Sequence, residues 1–150
     1  MLSSILKLLT HNSKLSSRAY NRLGPEDKLA VKVAAALREW SLSGRLEGVW
    51  THPPHEVAGG TKGAAVKYAI ACAMGMITGA PDYLFISSHG GALIELKSKT
   101  GRLNDNQKNF KAWAEKHNVP YALCRSLDEV EAFLCDVGLL APLAGYGRAA

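Results

Sequence analysis

The feature that most restricts the fold is a pair of apolar runs joined by four turn residues. Tyr83-Leu84-Phe85-Ile86-Ser87 leads through Ser88-His89-Gly90-Gly91 into Ala92-Leu93-Ile94-Glu95-Leu96-Lys97-Ser98-Lys99. The glycines suit a tight hairpin turn, so the runs read as antiparallel strands over 83–87 and 92–99. Side chains alternate along a strand. Ala92, Ile94 and Leu96 therefore share one face, and Leu93, Glu95 and Lys97 the other. A carboxylate and an ammonium are costly in a core strand unless paired or bound to a metal. Asp82, at the start of the first strand, is folded back toward Glu95 or Lys97.

The flanking sequence supplies helices to cover such a hairpin. Pro25 opens a helix with acids in its first turn, where the dipole favours them. Its apolar face is Leu29, Val33, Ala36, Leu37 and Trp40, and Ser43-Gly44 stops it. Residues 48–52 read as a short strand, ended by Pro53-Pro54. A small-residue helical run follows from Gly63 to Gly75. Leu103-Asn104 starts another helix, with Phe110, Trp113, Ala114 and His117 on one face; Trp40 and Trp113 both read as packing residues. Residues 120–124 form the next strand. Ser126 and Glu129 make a capping box for a last helix whose Val130, Phe133, Leu134 and Val137 face inward. The order α, β, α, β-hairpin, α, β, α gives an α/β class with a small mixed sheet flanked by helices. The expected division is a basic leader over 1–24, a domain over 25–138 and a flexible tail over 139–150.

The 150 residues fit one domain with a real core. Three widely spaced cysteines, Cys72, Cys124 and Cys135, suggest neither a disulfide framework nor a zinc ribbon, and a reducing compartment is the default. No apolar run reaches the ~20 residues that span a bilayer, so no membrane partner is expected. The formal charge is +5, unevenly spread. Lys7, Lys14, Arg18 and Arg22 precede the first acid, Glu26. That segment reads as a loose arm, with a docking helix through Ser4–Leu9 or an organelle transit peptide as alternatives. Lys97, Lys99, Arg102, Lys108 and Lys111 are opposed only by Asp105, an asymmetry that favours a polyanion on one side of the fold.

Two carboxylates that approach each other are stable around a divalent cation, and hard oxygen ligands suit Mg²⁺ or Mn²⁺. Mg²⁺ takes phosphate oxygens as further ligands, and a nearby lysine can hold or deprotonate an attacking water and offset transition-state charge. Asp82, Glu95 and Lys97 thus form a constellation suited to phosphodiester hydrolysis. The same spacing also fits a surface hairpin with a cross-strand salt bridge.

A wider set of residues resembles one family. Gly79-Ala80-Pro81-Asp82, Ile94-Glu95-Leu96-Lys97, Gly101-Arg102-Leu103 with Gln107, and Cys124-Arg125-Ser126-Leu127-Asp128-Glu129 occur in order. They are similar to the VRR-NUC (virus-type replication-repair nuclease) branch of the PD-(D/E)xK nucleases, over roughly residues 25–137. The resemblance implies a restriction-endonuclease-like core and metal-dependent hydrolysis of nucleic acid with Mg²⁺ or Mn²⁺. It also implies a homodimer acting on branched DNA such as four-way junctions, in the cytoplasm of a bacterial or phage-infected cell, or in an organelle if the leader is a transit peptide. By the same resemblance Asp82 and Glu95 are metal ligands, joined by the Leu96 carbonyl, and Lys97 is the catalytic lysine. Glu56 is a further site acid or simply a solvated loop acid, and His55 stands where the family often has asparagine. Glu26 is an outer ligand or simply a helix-dipole acid. Gln107 lies near the metal or scissile phosphate, and its spacing from Asn104 also fits a capping box. Lys62, Lys99, Arg102 and Lys108 are candidate phosphate contacts. His52 and His55 could pair on zinc, but no further ligand lies at a suggestive distance. The rival function is a non-catalytic nucleic-acid-binding module using the same basic face.

Overall fold

The computed structural model of the protein describes residues 4–11, 13–53 and 63–143. Its elements run α1 (Ser4–Thr10), α2 (Ser17–Asn21), α3 (Pro25–Leu42), β1 (Val49–Thr51), α4 (Ala64–Ala73), β2 (Tyr83–Ser87), β3 (Gly90–Leu96), α5 (Asp105–Lys116), β4 (Tyr121–Cys124) and α6 (Leu127–Asp136). The four strands make one mixed sheet in the order β1-β2-β3-β4. The hairpin is antiparallel, with Tyr83 opposite Ile94 and Phe85 opposite Ala92. β4 returns parallel to β3 after the α5 crossover, with Leu93 beside Tyr121 and Glu95 beside Leu123.

Strand alternation sorts the two faces as expected. Tyr83, Phe85, Ala92, Ile94 and Leu96 are buried in a core with Val33 and Leu37 of α3 and Val130 and Leu134 of α6. Two polar bonds fix α3 to this face: the Tyr83 hydroxyl donates to the Ala30 carbonyl at 2.9 Å, and Trp50 Nε1 donates to buried Ser41 Oγ at 3.1 Å. The opposite face carries Leu93, Glu95, Tyr121 and Leu123 on β3 and β4, and α5 lies against β4.

Several boundaries differ from the sequence reading. β3 ends at Leu96, but the Lys97 amide still donates to the Cys124 carbonyl at 3.0 Å, so the alternation carries one residue further. Residues 4–10 of the expected loose arm are helical instead: α1 packs against α3, and Leu9 gives its carbonyl to Arg38 Nε at 2.8 Å. The core does not stop at 138. Leu139 and Leu140 are buried, Leu140 bridges to Leu46, and the Ala141 amide donates to the Arg45 carbonyl. Ser126 caps α6, but Glu129 reaches past it to the Arg125 amide at 2.6 Å, so the reciprocal half of the expected box is replaced. Trp40 is buried as expected, whereas Trp113 is 52% exposed; α5 buries only Ala114 fully.

Candidate active site

The hairpin and the first turns of α3 and α5 meet at one cleft of about 530 Å³. Its walls include Glu26, His52, Asp82, Leu96, Lys97 and Gln107. Asp82 sits at the mouth of β2, where its Oδ2 accepts from the Leu96 amide across the hairpin at 2.6 Å. Glu95 is 1% exposed. Its Oε1 takes the Lys97 ammonium at 2.7 Å and a short hydrogen bond from Gln107 Nε2, while its Oε2 is buried with no partner among the described residues. Lys97 Nζ also meets Glu26 Oε1 at 3.1 Å, and Glu26 Oε2 accepts from the Ser98 amide at 3.3 Å.

The electrostatics follow from this crowding. Burial pushes the Glu95 carboxyl up to about 7; the bond to Lys97 opposes the rise, and the charges of Asp82 and Glu26 add to it. Asp82 is raised as well, mainly by burial, against the Leu96 amide that favours its charge. Burial presses the Lys97 ammonium toward neutrality, but its contacts with Glu95 and Glu26 outweigh that and hold its pKa above the ordinary value. Three acids around one lysine leave the cluster short of positive charge.

The structure therefore brings together Asp82, Glu95, Lys97, Gln107 and Glu26. Gln107 closes a complete capping box, its Oε1 accepting from the Asn104 amide at 3.0 Å, which leaves Nε2 to donate to Glu95. Glu26 is more than a helix-dipole acid, since it bonds Lys97. Lys99, Arg102 and Lys108 are exposed outside the cleft, and Lys108 is engaged by Asp105 at 2.9 Å. Glu56, Lys62 and His55 lie outside the described residues. Among the described residues, no three of His, Cys, Asp and Glu gather closely enough to cage an ion by themselves.

Two participants have contacts here that the sequence reading does not assign, since it considers His52 only as a zinc partner of His55. His52 Nδ1 lies 2.6 Å from the Asp82 carbonyl oxygen, and an oxygen that can only accept makes Nδ1 the donor. Tyr121, on the Glu95 face one strand over, has a buried hydroxyl with no partner among the described residues; burial and the Glu95 charge both raise its pKa. Neither contact follows from local pattern: His52 meets Asp82 across 30 positions of sequence, and the β3–β4 register that places Tyr121 is set by a crossover of two dozen residues.

A mixed sheet flanked by helices, with acids gathered at one end of a hairpin, is a restriction-endonuclease-like α/β fold. Residues 65–128 match the family model of the VRR-NUC domain. A solved structure described as a VRR_NUC domain protein shares the fold, with a TM-score of 0.55 and 18% identity over 80% of this chain and 93% of that one. No curated protein matches the chain. Among the described residues no helix is long and apolar enough to cross a membrane.

Proposed function

We propose that the protein is a Mg²⁺- or Mn²⁺-dependent endonuclease that hydrolyses phosphodiester bonds in branched DNA, working as a homodimer. The observation that carries this reading is Glu95: a buried carboxylate with one oxygen tied to Lys97 and Gln107 and the other unpartnered. An orphaned buried oxygen costs stability. A cation at Oε2 would satisfy it, and Mg²⁺ needs only one or two carboxylates when water and phosphate complete its shell. The residues present therefore fit such an ion, with Asp82 and Glu95 as its direct holders, Leu96 in the wall of the same cleft as the source of a carbonyl, and Glu26 as an acid able to reach it through water.

Bound there, the metal would polarise the phosphate and lower the pKa of its water. The chain's own residues do the rest. The Leu96 amide and the pair Gln107 and Lys97 fix the two carboxylates on a rigid hairpin. Lys97 keeps its proton between two acids, so its part is to place positive charge where the phosphate gains negative charge, rather than to take a proton from water. Water adds to phosphorus as the bond to the leaving strand oxygen opens, the water's proton passing to solvent and the departing oxygen taking one from solvent. Cutting both strands at a junction takes two such sites, which two-fold pairing of copies provides.

Cleavage of four-way, flap and linear DNA in Mg²⁺, Mn²⁺ or chelator tests this, with an RNA control. Metal-dependent cutting that favours branched DNA is expected, and Lys97→Ala should bind DNA but not cut it. Undiminished cutting by Glu95→Ala, or in chelator, would refute the site; DNA binding with no cutting under any metal would favour the idle binding module.

A further inference from the structure

Trp113 is a large aromatic side chain that the core does not cover. Of the three tryptophans, Trp40 and Trp50 are 7% and 5% exposed, whereas Trp113 is 52% exposed. Its ring is not loose. Phe110 flanks it at 6.0 Å between centroids and His117 at 4.9 Å, forming an aromatic row along α5. Beside it opens a pocket of about 380 Å³ lined by Ile77, Thr78, Asn106, Asn109, Phe110 and Trp113. Ile77 is 61% exposed.

This pocket adjoins the cleft. Thr78 lines both, and the first turns of α5 send Asn104 and Gln107 to the cleft while Asn106 and Asn109 line the pocket. A ligand filling both must pair a phosphate with a flat, largely apolar ring bearing polar edges. That is the chemistry of a nucleotide within a strand. The aromatic face offers stacking to any base, and two side-chain amides can each donate and accept at a base edge. A base inside a duplex has both faces covered by its neighbours, so only an unpaired base can use this surface. The helix also carries Lys108 and Lys111, in ion pairs with Asp105 at 2.9 Å and Glu115 at 3.5 Å. Such exposed pairs hold their partners weakly, so a phosphate can take over either ammonium.

We propose that the Trp113 pocket receives one unpaired nucleobase of the strand whose phosphate lies in the cleft. The proposal rests on the nuclease reading above and narrows its substrate to DNA with a single-stranded or splayed nucleotide next to the cut.

Intrinsic fluorescence tests it directly, because the other two tryptophans are buried. The full chain is titrated, in chelator to prevent cutting, with a duplex bearing a single-stranded arm and with a blunt duplex of the same sequence. The armed DNA should quench Trp113 emission and the blunt duplex should not. Trp113→Ala should weaken binding of the armed DNA roughly 10- to 100-fold and leave the blunt duplex little changed; Trp113→Phe should retain part of the difference. Armed DNA that binds Trp113→Ala as well as the parent, without quenching the parent, would overturn the pocket while leaving the nuclease reading intact. Failure to bind either DNA would remove both. A smaller assembly mass for Trp113→Ala, with unchanged binding per protomer, would assign the patch to contact between copies and overturn the proposal.

Discussion

Gly79 offers a test of how tightly the site is built. Its φ is +87°, and a methyl group added to it would lie 2.5 Å from the Asn106 carbonyl carbon and 2.7 Å from the Gln107 amide nitrogen. Both are backbone atoms of the first turn of α5, which cannot step aside as a side-chain tip can. Gly75 is a matched control: its φ is +104°, and an added methyl there would meet nothing within 4 Å. Each alanine carries the cost of a backbone region that L-residues avoid, about 1–2 kcal/mol. Only Gly79→Ala adds an overpacking cost, about 1–3 kcal/mol. Urea unfolding of the two variants and the parent at one pH should therefore give a loss of about 2–5 kcal/mol for Gly79→Ala and about 1–2 kcal/mol for Gly75→Ala. Because the α5 turn carries Gln107 to Glu95, Gly79→Ala should also lower cleavage where it is still fully folded, and Gly75→Ala should not. Losses that agree within about 0.5 kcal/mol would refute the close approach of the two segments.

Three further outcomes concern the buried charges. Glu95 is raised from 4.5 to about 7, so between those values the folded chain keeps a proton that the unfolded chain has lost, and stability falls as pH rises through the window. Glu95→Gln lacks that titration; in chelator its stability relative to the parent should rise by roughly 3 kcal/mol from pH 4.5 to 7 and level off above, and a difference independent of pH in thermal melts would contradict this. Lys97→Ala strands the Glu95 charge and should cost about 3 kcal/mol at pH 8, with most of it recovered in the double variant with Glu95→Gln; additive losses in denaturant titrations would count against the pair. Tyr121→Phe removes a buried hydroxyl that has no partner and should leave stability unchanged or raise it by up to about 1 kcal/mol; a loss above 1 kcal/mol in the same titrations would show a bond to that hydroxyl.

What could be read from the sequence was what neighbours along the chain decide. Alternation and a glycine turn give the β2–β3 hairpin and put Glu95 and Lys97 on one face. The Asn104–Gln107 spacing gives the cap of α5. Contacts across long stretches of chain were not readable. Helical spacing groups Trp113 with Ala114 but cannot say that the sheet covers only the latter. The Ala-, Gly- and Pro-rich end suggests fraying, yet Leu139 and Leu140 enter the core because Leu46 and Arg45 wait for them. Glu26 reads as either an outer ligand or a first-turn dipole acid, and neither reading gives its bond to Lys97, which β3 brings against it.

That last ion pair spans 71 positions of sequence, and it limits how the protein can be divided. The stretch that matches the family, residues 65–128, contains Asp82, Glu95 and Lys97 but omits α3 and most of α6. Cut out and grafted elsewhere, it would leave Ile94 and Leu96 without Val33, Leu37 and Leu134, and Lys97 with one carboxylate in place of two. The portion that is recognisable is therefore not a portable module, and any transplant or split design must keep the helix that starts at Pro25 on the same side of the break as the hairpin.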